Sequence, residues 1–86
     1  MTSIVKAAVF AAFLLPAIAF AAPVNINTAN ADEIAAALQG IGPAKAQAIV
    51  AYREAYGEFS QADEIVFVRG IGEATYLINK DDIRVE

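Results

Sequence analysis

The sequence predicts an all-α fold of four short helices joined by tight turns, set behind an apolar leader. Three observations lead there. Helix-capping residues and glycine breakers alternate along residues 30–80. The apolar positions between them fall at helical spacing. The triplet Gly-Ile-Gly occurs twice, at 40–42 and 70–72, each time between the end of one helical stretch and the start of another.

Taken in order, Met1–Lys6 gives a short positive start, Ala7–Leu15 is an unbroken apolar run, and Pro16 precedes Ala17-Ile-Ala-Phe-Ala21. A positive n-region, an apolar h-region and small residues at Ala19 and Ala21 form the pattern of a secretory signal peptide over residues 1–21, cut between Ala21 and Ala22. A cut one residue later would leave Pro23 at the new N-terminus. The competing reading is an uncleaved anchor. The uncharged run Ala7–Ala22 contains a proline and is short against the ~20 residues that span a bilayer.

Residues 22–86 are expected to form the domain. Val24-Asn-Ile-Asn-Thr28 alternates apolar and polar residues and reads as an extended lead-in. Asn30, with Glu33 three positions on, has the form of a capping box opening a helix that stops before Gln39-Gly40. Pro43 suits the first turn of a second helix, which runs to about Tyr56 and ends at Gly57. Ala46, Ile49, Val50, Tyr52 and Tyr56 supply its apolar positions. Ser60 is placed to cap a third helix through Val68, with Gln61, Asp63 and Glu64 in its first turn. A fourth helix follows from Glu73 to about Asn79. The tail 81–86 alternates, with Ile83 and Val85 turned to the core, and no real sheet is expected.

Composition restricts the chemistry. The chain of 86 residues has no His and no Cys, and so no disulfide, thiol nucleophile, imidazole base or soft-metal site. With Lys6 in the leader, residues 22–86 keep five basic residues (Lys45, Arg53, Arg69, Lys80, Arg84) against ten acidic ones, a net charge of −5. Asp81-Asp82 pairs two carboxylates without the further oxygen ligands a hard metal needs. Tyr52, Tyr56, Phe59 and Phe67 are expected in the core rather than as stacking platforms, and Arg53 in an ion pair. No catalytic residue, metal, cofactor or small-molecule substrate is expected.

The repeat carries the functional signal. Ile34-x-x-Ala-Leu38-Gln-Gly40-Ile41-Gly42-x-x-x-Ala46 aligns with Ile65-x-x-Val68-Arg-Gly70-Ile71-Gly72-x-x-x-Tyr76. The first glycine of each triplet can take the positive φ that ends a helix. The isoleucine turns inward between two helices. The second glycine lets a surface approach the backbone, in front of N–H groups that have no helical acceptor. Such donors at the positive end of a helix form a phosphate site. In the first copy Gly42, Ala44 and Lys45 are the donors, and the Lys45 ammonium adds a charge. One such triplet is equally well a plain turn; two in the same apolar register predict a tandem helix–hairpin–helix domain, (HhH)2, of SAM-like helical architecture. Two hairpins on one face suit the phosphate strands of a duplex, without base reading.

Val24-Asn-Ile-Asn-Thr-Ala29, Leu38-Gln-Gly-Ile-Gly-Pro43, Lys45-Ala46, Ala48-Ile49-x-x-Tyr-Arg53, Gly57-x-Phe59 and Val68-Arg-Gly-Ile-Gly-Glu73 together resemble the ComEA family of helix–hairpin–helix proteins, over essentially all of residues 22–86. The resemblance implies an exported protein of bacterial competence that binds incoming double-stranded DNA outside the inner membrane. It also puts proteins of the DNA-uptake machinery among the candidate partners. A leader running directly into the domain is similar to the periplasmic form, which meets the membrane only in transit, rather than to the anchored form with its longer linker.

The residues expected at DNA are Gly40, Ile41, Gly42, Ala44 and Lys45 from the first hairpin, and Arg69, Gly70, Ile71, Gly72, Thr75 and Lys80 from the second. Glu73 follows Gly72 directly, where its carboxylate competes with a phosphate, and Tyr76 replaces the small Ala46. The first hairpin is therefore expected to bind more strongly. The acidic charge motivates an alternative: a periplasmic helical protein-interaction module that keeps the fold without binding DNA.

Overall fold

The computed structural model describes residues 22–86, and the expected leader, residues 1–21, lies outside them. The described chain is mostly helical. Strand β1 (Val24–Asn25) leads into helix α1 (Ala31–Ala37), helix α2 (Pro43–Tyr56), a 3-10 segment (Ala62–Phe67), helix α3 (Glu73–Asn79), a second 3-10 turn (Lys80–Asp82) and strand β2 (Ile83–Arg84).

The capping box at α1 forms as its sequence predicts. The Glu33 N–H donates to Asn30 Oδ1 at 2.8 Å, and the Asn30 N–H donates to Glu33 Oε1 at 2.9 Å. Two backbone donors that the helix cannot use are thereby satisfied. Pro43 opens α2, and Gly57 (φ 98°) ends it.

Three expectations change. First, the ends pair. β1 and β2 form a two-stranded parallel ladder, Val24 opposite Ile83 and Asn25 opposite Arg84, and the Ile26 N–H donates to the Arg84 carbonyl at 3.0 Å. The side chain of Asn25 adds bonds to the backbone N–H and C=O of Glu86. The alternating tail thus finds a partner in the equally alternating lead-in.

Second, the third helix is a 3-10 segment, and Ser60 does not cap it. The Ser60 N–H donates instead to Glu64 Oε1. With three residues per turn, Ala62, Ile65 and Val68 share one face. Ile65 and Val68 are buried while Phe67, off that face, is 65% exposed. Third, Tyr56 is 76% exposed, because the last turn of α2 runs past the core. Phe59 is buried, the Tyr52 ring stacks on it at 5.3 Å, and the Tyr56 ring leans on Tyr52 at 4.7 Å from outside.

The core follows the repeat. Ile34, Leu38, Ile41 and Ala46 are buried from the first half, Ile65, Val68 and Ile71 from the second, and Ile26 and Ile83 from the two ends. Arg53, expected in an ion pair, instead serves this packing: its Nη1 donates to the carbonyls of Ile26 and Ala29 at 2.7 and 2.5 Å. A guanidinium, with donors in a planar fork, suits two neighbouring carbonyls.

Candidate functional site

Both Gly-Ile-Gly triplets turn the chain in the same way. Gly40 (φ 73°) and Gly70 (φ 92°) occupy the left-handed region, where a side chain is strained. Ile41 and Ile71 are buried, so only their backbone can reach a ligand. Gly42 and Gly72 are exposed N-cap residues of α2 and α3, with φ/ψ of −82°/−174° and −101°/179°.

Any residue adopts that extended backbone, and a Cβ built on Gly42 or Gly72 meets nothing within 4 Å. Neither conformation nor internal packing calls for glycine there. Asn, Asp or Ser would cap the helix with a side chain, as Asn30 does for α1. The N-terminus of α2 is open by comparison, with no side-chain cap. Its first helical bond runs from the Ala46 N–H to the Gly42 carbonyl at 2.9 Å. Pro43 has no N–H, so the donors of Ala44 and Lys45 lie ahead of that bond with no helical acceptor. Ala44 is exposed beside them.

The structure gathers the other expected residues unevenly. Lys45 is half-buried, and its Cγ and Cε lie 3.9 and 3.8 Å from where a Cβ on Gly70 would stand. Its stem therefore crosses from the first hairpin onto the second. Arg69 is exposed at the rim of an open groove formed by Ala48, Ala51, Ala55, Tyr56 and Phe67. Thr75 is half-buried, and its carbonyl accepts a bond from Asn79 at 2.9 Å. Lys80 is exposed at the far end of α3, roughly 12 Å along the axis from Gly72 by helical rise. It does not join the turn. Glu73 is exposed in the first turn of α3, where the sequence places its carboxylate.

Two asparagines to which the motifs give no role also organise the fold. The side chain of Asn27 exchanges two bonds with the backbone of Phe59, at 2.7 and 3.0 Å. Asn79, only 1% exposed, does the same with Gln39: its Oδ1 accepts from the Gln39 N–H and its Nδ2 donates to the Gln39 carbonyl, both at 2.8 Å. The signal for Asn79 was present, because the repeat aligns it with Ile49, a core position. Among the described residues, no group of three or more acidic side chains could hold a metal ion, and no helix is long and apolar enough to cross a membrane.

A turn with an inward isoleucine between two helices, followed by an uncapped helix N-terminus, defines a helix–hairpin–helix class of protein. The family described as a helix-hairpin-helix motif matches residues 20–84, and the chain belongs to it. An uncharacterized protein of Haemophilus influenzae is 54% identical over 59 residues, covering 69% of this chain and 53% of its own. ComE operon protein 1 of Bacillus subtilis is 46% identical over 63 residues, covering 73% of this chain and 30% of its own. The chain thus spans about half the length of the first relative and under a third of the second. The ComEA resemblance drawn from the motifs stands on the family match and on this second relative.

Proposed function

We propose that this protein binds double-stranded DNA without reading its sequence, through backbone amides of the Gly-Ile-Gly hairpins, as a non-enzymatic component of DNA uptake in bacterial competence. The observation that carries this reading is the glycine at position 42. It is exposed and free of internal constraint, and it stands before open donors at the start of a fourteen-residue helix. A glycine that the fold does not need makes sense where another backbone must come close. Phosphates of a duplex supply that backbone.

On this reading residues 22–86 are a tandem (HhH)2 domain. Gly40, Ile41, Gly42, Ala44 and Lys45 form the stronger contact, and Arg69, Gly70, Ile71, Gly72 and Thr75 the weaker one beside Glu73. Lys80, at the far end of α3, touches DNA only if the duplex extends along that helix. Residues 1–21 act as a signal peptide cleaved after Ala21, delivering the domain to the periplasm beside proteins of the uptake machinery. The names of the family and of ComE operon protein 1 support the class, and the leader motif supports the compartment.

Gly42→Thr tests the mechanism. A threonine hydroxyl can accept from the open N–H groups and cap α2, while its branched side chain blocks close approach. Melting temperature should hold or rise, and duplex affinity should fall several-fold in a fluorescence titration. Lys45→Glu should weaken binding further. Wild-type protein that fails to bind any duplex at low salt would remove this reading. The alternative, a protein-interaction module, draws on the acidic charge and on the open groove between Tyr56 and Phe67. It predicts that Lys45→Glu changes nothing toward DNA and that periplasmic extract yields a protein partner.

A further inference from the structure

We propose that Asn79 is a positioning residue for the first hairpin, and that the second repeat serves as a brace for the phosphate contact made by the first. This rests on the DNA-binding reading above and adds to it the residue that holds the contact in shape.

The internal alignment puts Asn79 at the place of Ile49, which is completely buried. An aliphatic side chain would fill that place without removing an amide from water. Burying an amide is unfavourable unless its hydrogen bonds are remade. Here they are: both Nδ2 protons are donated, to the carbonyls of Gln39 and Thr75, and Oδ1 accepts the Gln39 N–H. Gln39 immediately precedes Gly40, where the hairpin turns. Asn79 therefore fixes the backbone plane of the residue that leads into the donor turn, from a helix belonging to the other repeat. A fully satisfied buried network of this kind rigidifies its surroundings.

Lys45 adds a contact between the repeats from the first of them. It belongs to the first hairpin's helix, yet its Cγ and Cε lie over Gly70, at ordinary contact distance from where a Cβ there would stand. The ammonium, one bond beyond Cε, is thereby brought near the second turn. Each repeat thus reaches across onto the other, Asn79 by hydrogen bonds and the Lys45 stem by contact. Donors fixed before a ligand arrives lose less freedom on binding.

The full-length chain carrying Asn79→Leu, which keeps the branched shape and discards the bonds, distinguishes positioning from simple structure. The expectation is unchanged helicity with duplex affinity roughly ten-fold weaker, the equivalent of about one lost hydrogen-bonded contact. The slope of log affinity against log salt should remain that of the wild type, because no cation has been removed. Lys45→Met should instead make that slope shallower by about 0.9, one phosphate's worth. Wild-type affinity in a folded Asn79→Leu protein would overturn the inference, as would a shallower slope in that variant.

Nuclear magnetic resonance of the wild type gives a test that needs no variant to fold. In the protein without DNA, the Gln39 N–H and the Asn79 side-chain amide should already be protected from hydrogen exchange, as bonded groups of a pre-formed turn are. Rapid exchange of both in the free protein would overturn the proposal. Absence of any wild-type binding would remove the reading beneath it, and this inference with it. Binding with an unaffected Asn79→Leu variant would remove the inference alone.

Discussion

Side-chain amides and one guanidinium tie together the parts of this domain that a small core cannot. Asn25, Asn27, Asn30 and Asn79 each bond backbone through the side chain, and Arg53 gathers two carbonyls of the lead-in. The string Val24-Asn-Ile-Asn-Thr-Ala29 becomes intelligible in these terms. Asn25 reaches the tail, Ile26 enters the core, Asn27 reaches Phe59, and Ala29 is buried. Arg53→Met should therefore destabilise the fold by about 2–3 kcal/mol, since it keeps the stem and removes charge-assisted bonds to carbonyls left half-buried. Urea unfolding measures this. Had Arg53 only met a surface carboxylate, the loss would stay below about 1 kcal/mol.

Among the elements, the two glycines of one hairpin should respond in opposite ways. Gly40→Ala places a Cβ in the left-handed region and should cost about 1–2 kcal/mol, although nothing lies within 4 Å to clash with it. Gly42→Thr should cost nothing in stability, because its backbone is extended and a hydroxyl there caps the helix. Paired thermal melts and duplex titrations separate the two: the first variant is a folding lesion, the second a binding lesion.

The helices α1, α2 and α3 were legible in the sequence because their ends are marked by Asn30, Pro43 with Gly57, and Gly72. The 3-10 segment was not, since its composition suits an α-helix. Its trace is a missing residue: Ile34 and Leu38 are four apart, their counterparts Ile65 and Val68 three. That is the difference between an α turn and a 3-10 turn. The exposure of Phe67 follows from it. Helical spacing puts Tyr56 in the core because it shows which face a residue shares and not where along the helix the core stops. Of the candidate site, both turns could be read from the repeat. The crossing of Lys45 and the grip of Asn79 on Gln39 could not, because each joins residues far apart in sequence.

For the molecule as a whole, charge and closure decide its behaviour. An excess of five acidic residues over residues 22–86 repels a polyanion at long range. Binding through backbone donors and few cations should therefore give a shallow salt dependence, with a slope near −1 to −3 rather than the −6 or beyond of proteins that neutralise many phosphates. A titration of duplex affinity between 50 and 200 mM salt, on the order of a few points, is enough to measure it. Closure is supplied by the ends. Removal of residues 83–86 deletes buried Ile83 and the ladder partner of β1, and should cost about 3 kcal/mol or more from the lost side chain alone. For a domain of this size that is a large part of its stability, and circular dichroism at 37 °C, roughly a mesophilic working temperature, should show a largely unfolded chain.

The parallel sense of that ladder also has a mechanical meaning. The chain enters at the start of β1 and leaves at the end of β2. A pull between residues 22 and 86 would draw the two strands past one another along their axes, loading their hydrogen bonds together instead of peeling them one after another. The domain's weakest-looking element is therefore oriented to bear tension in shear.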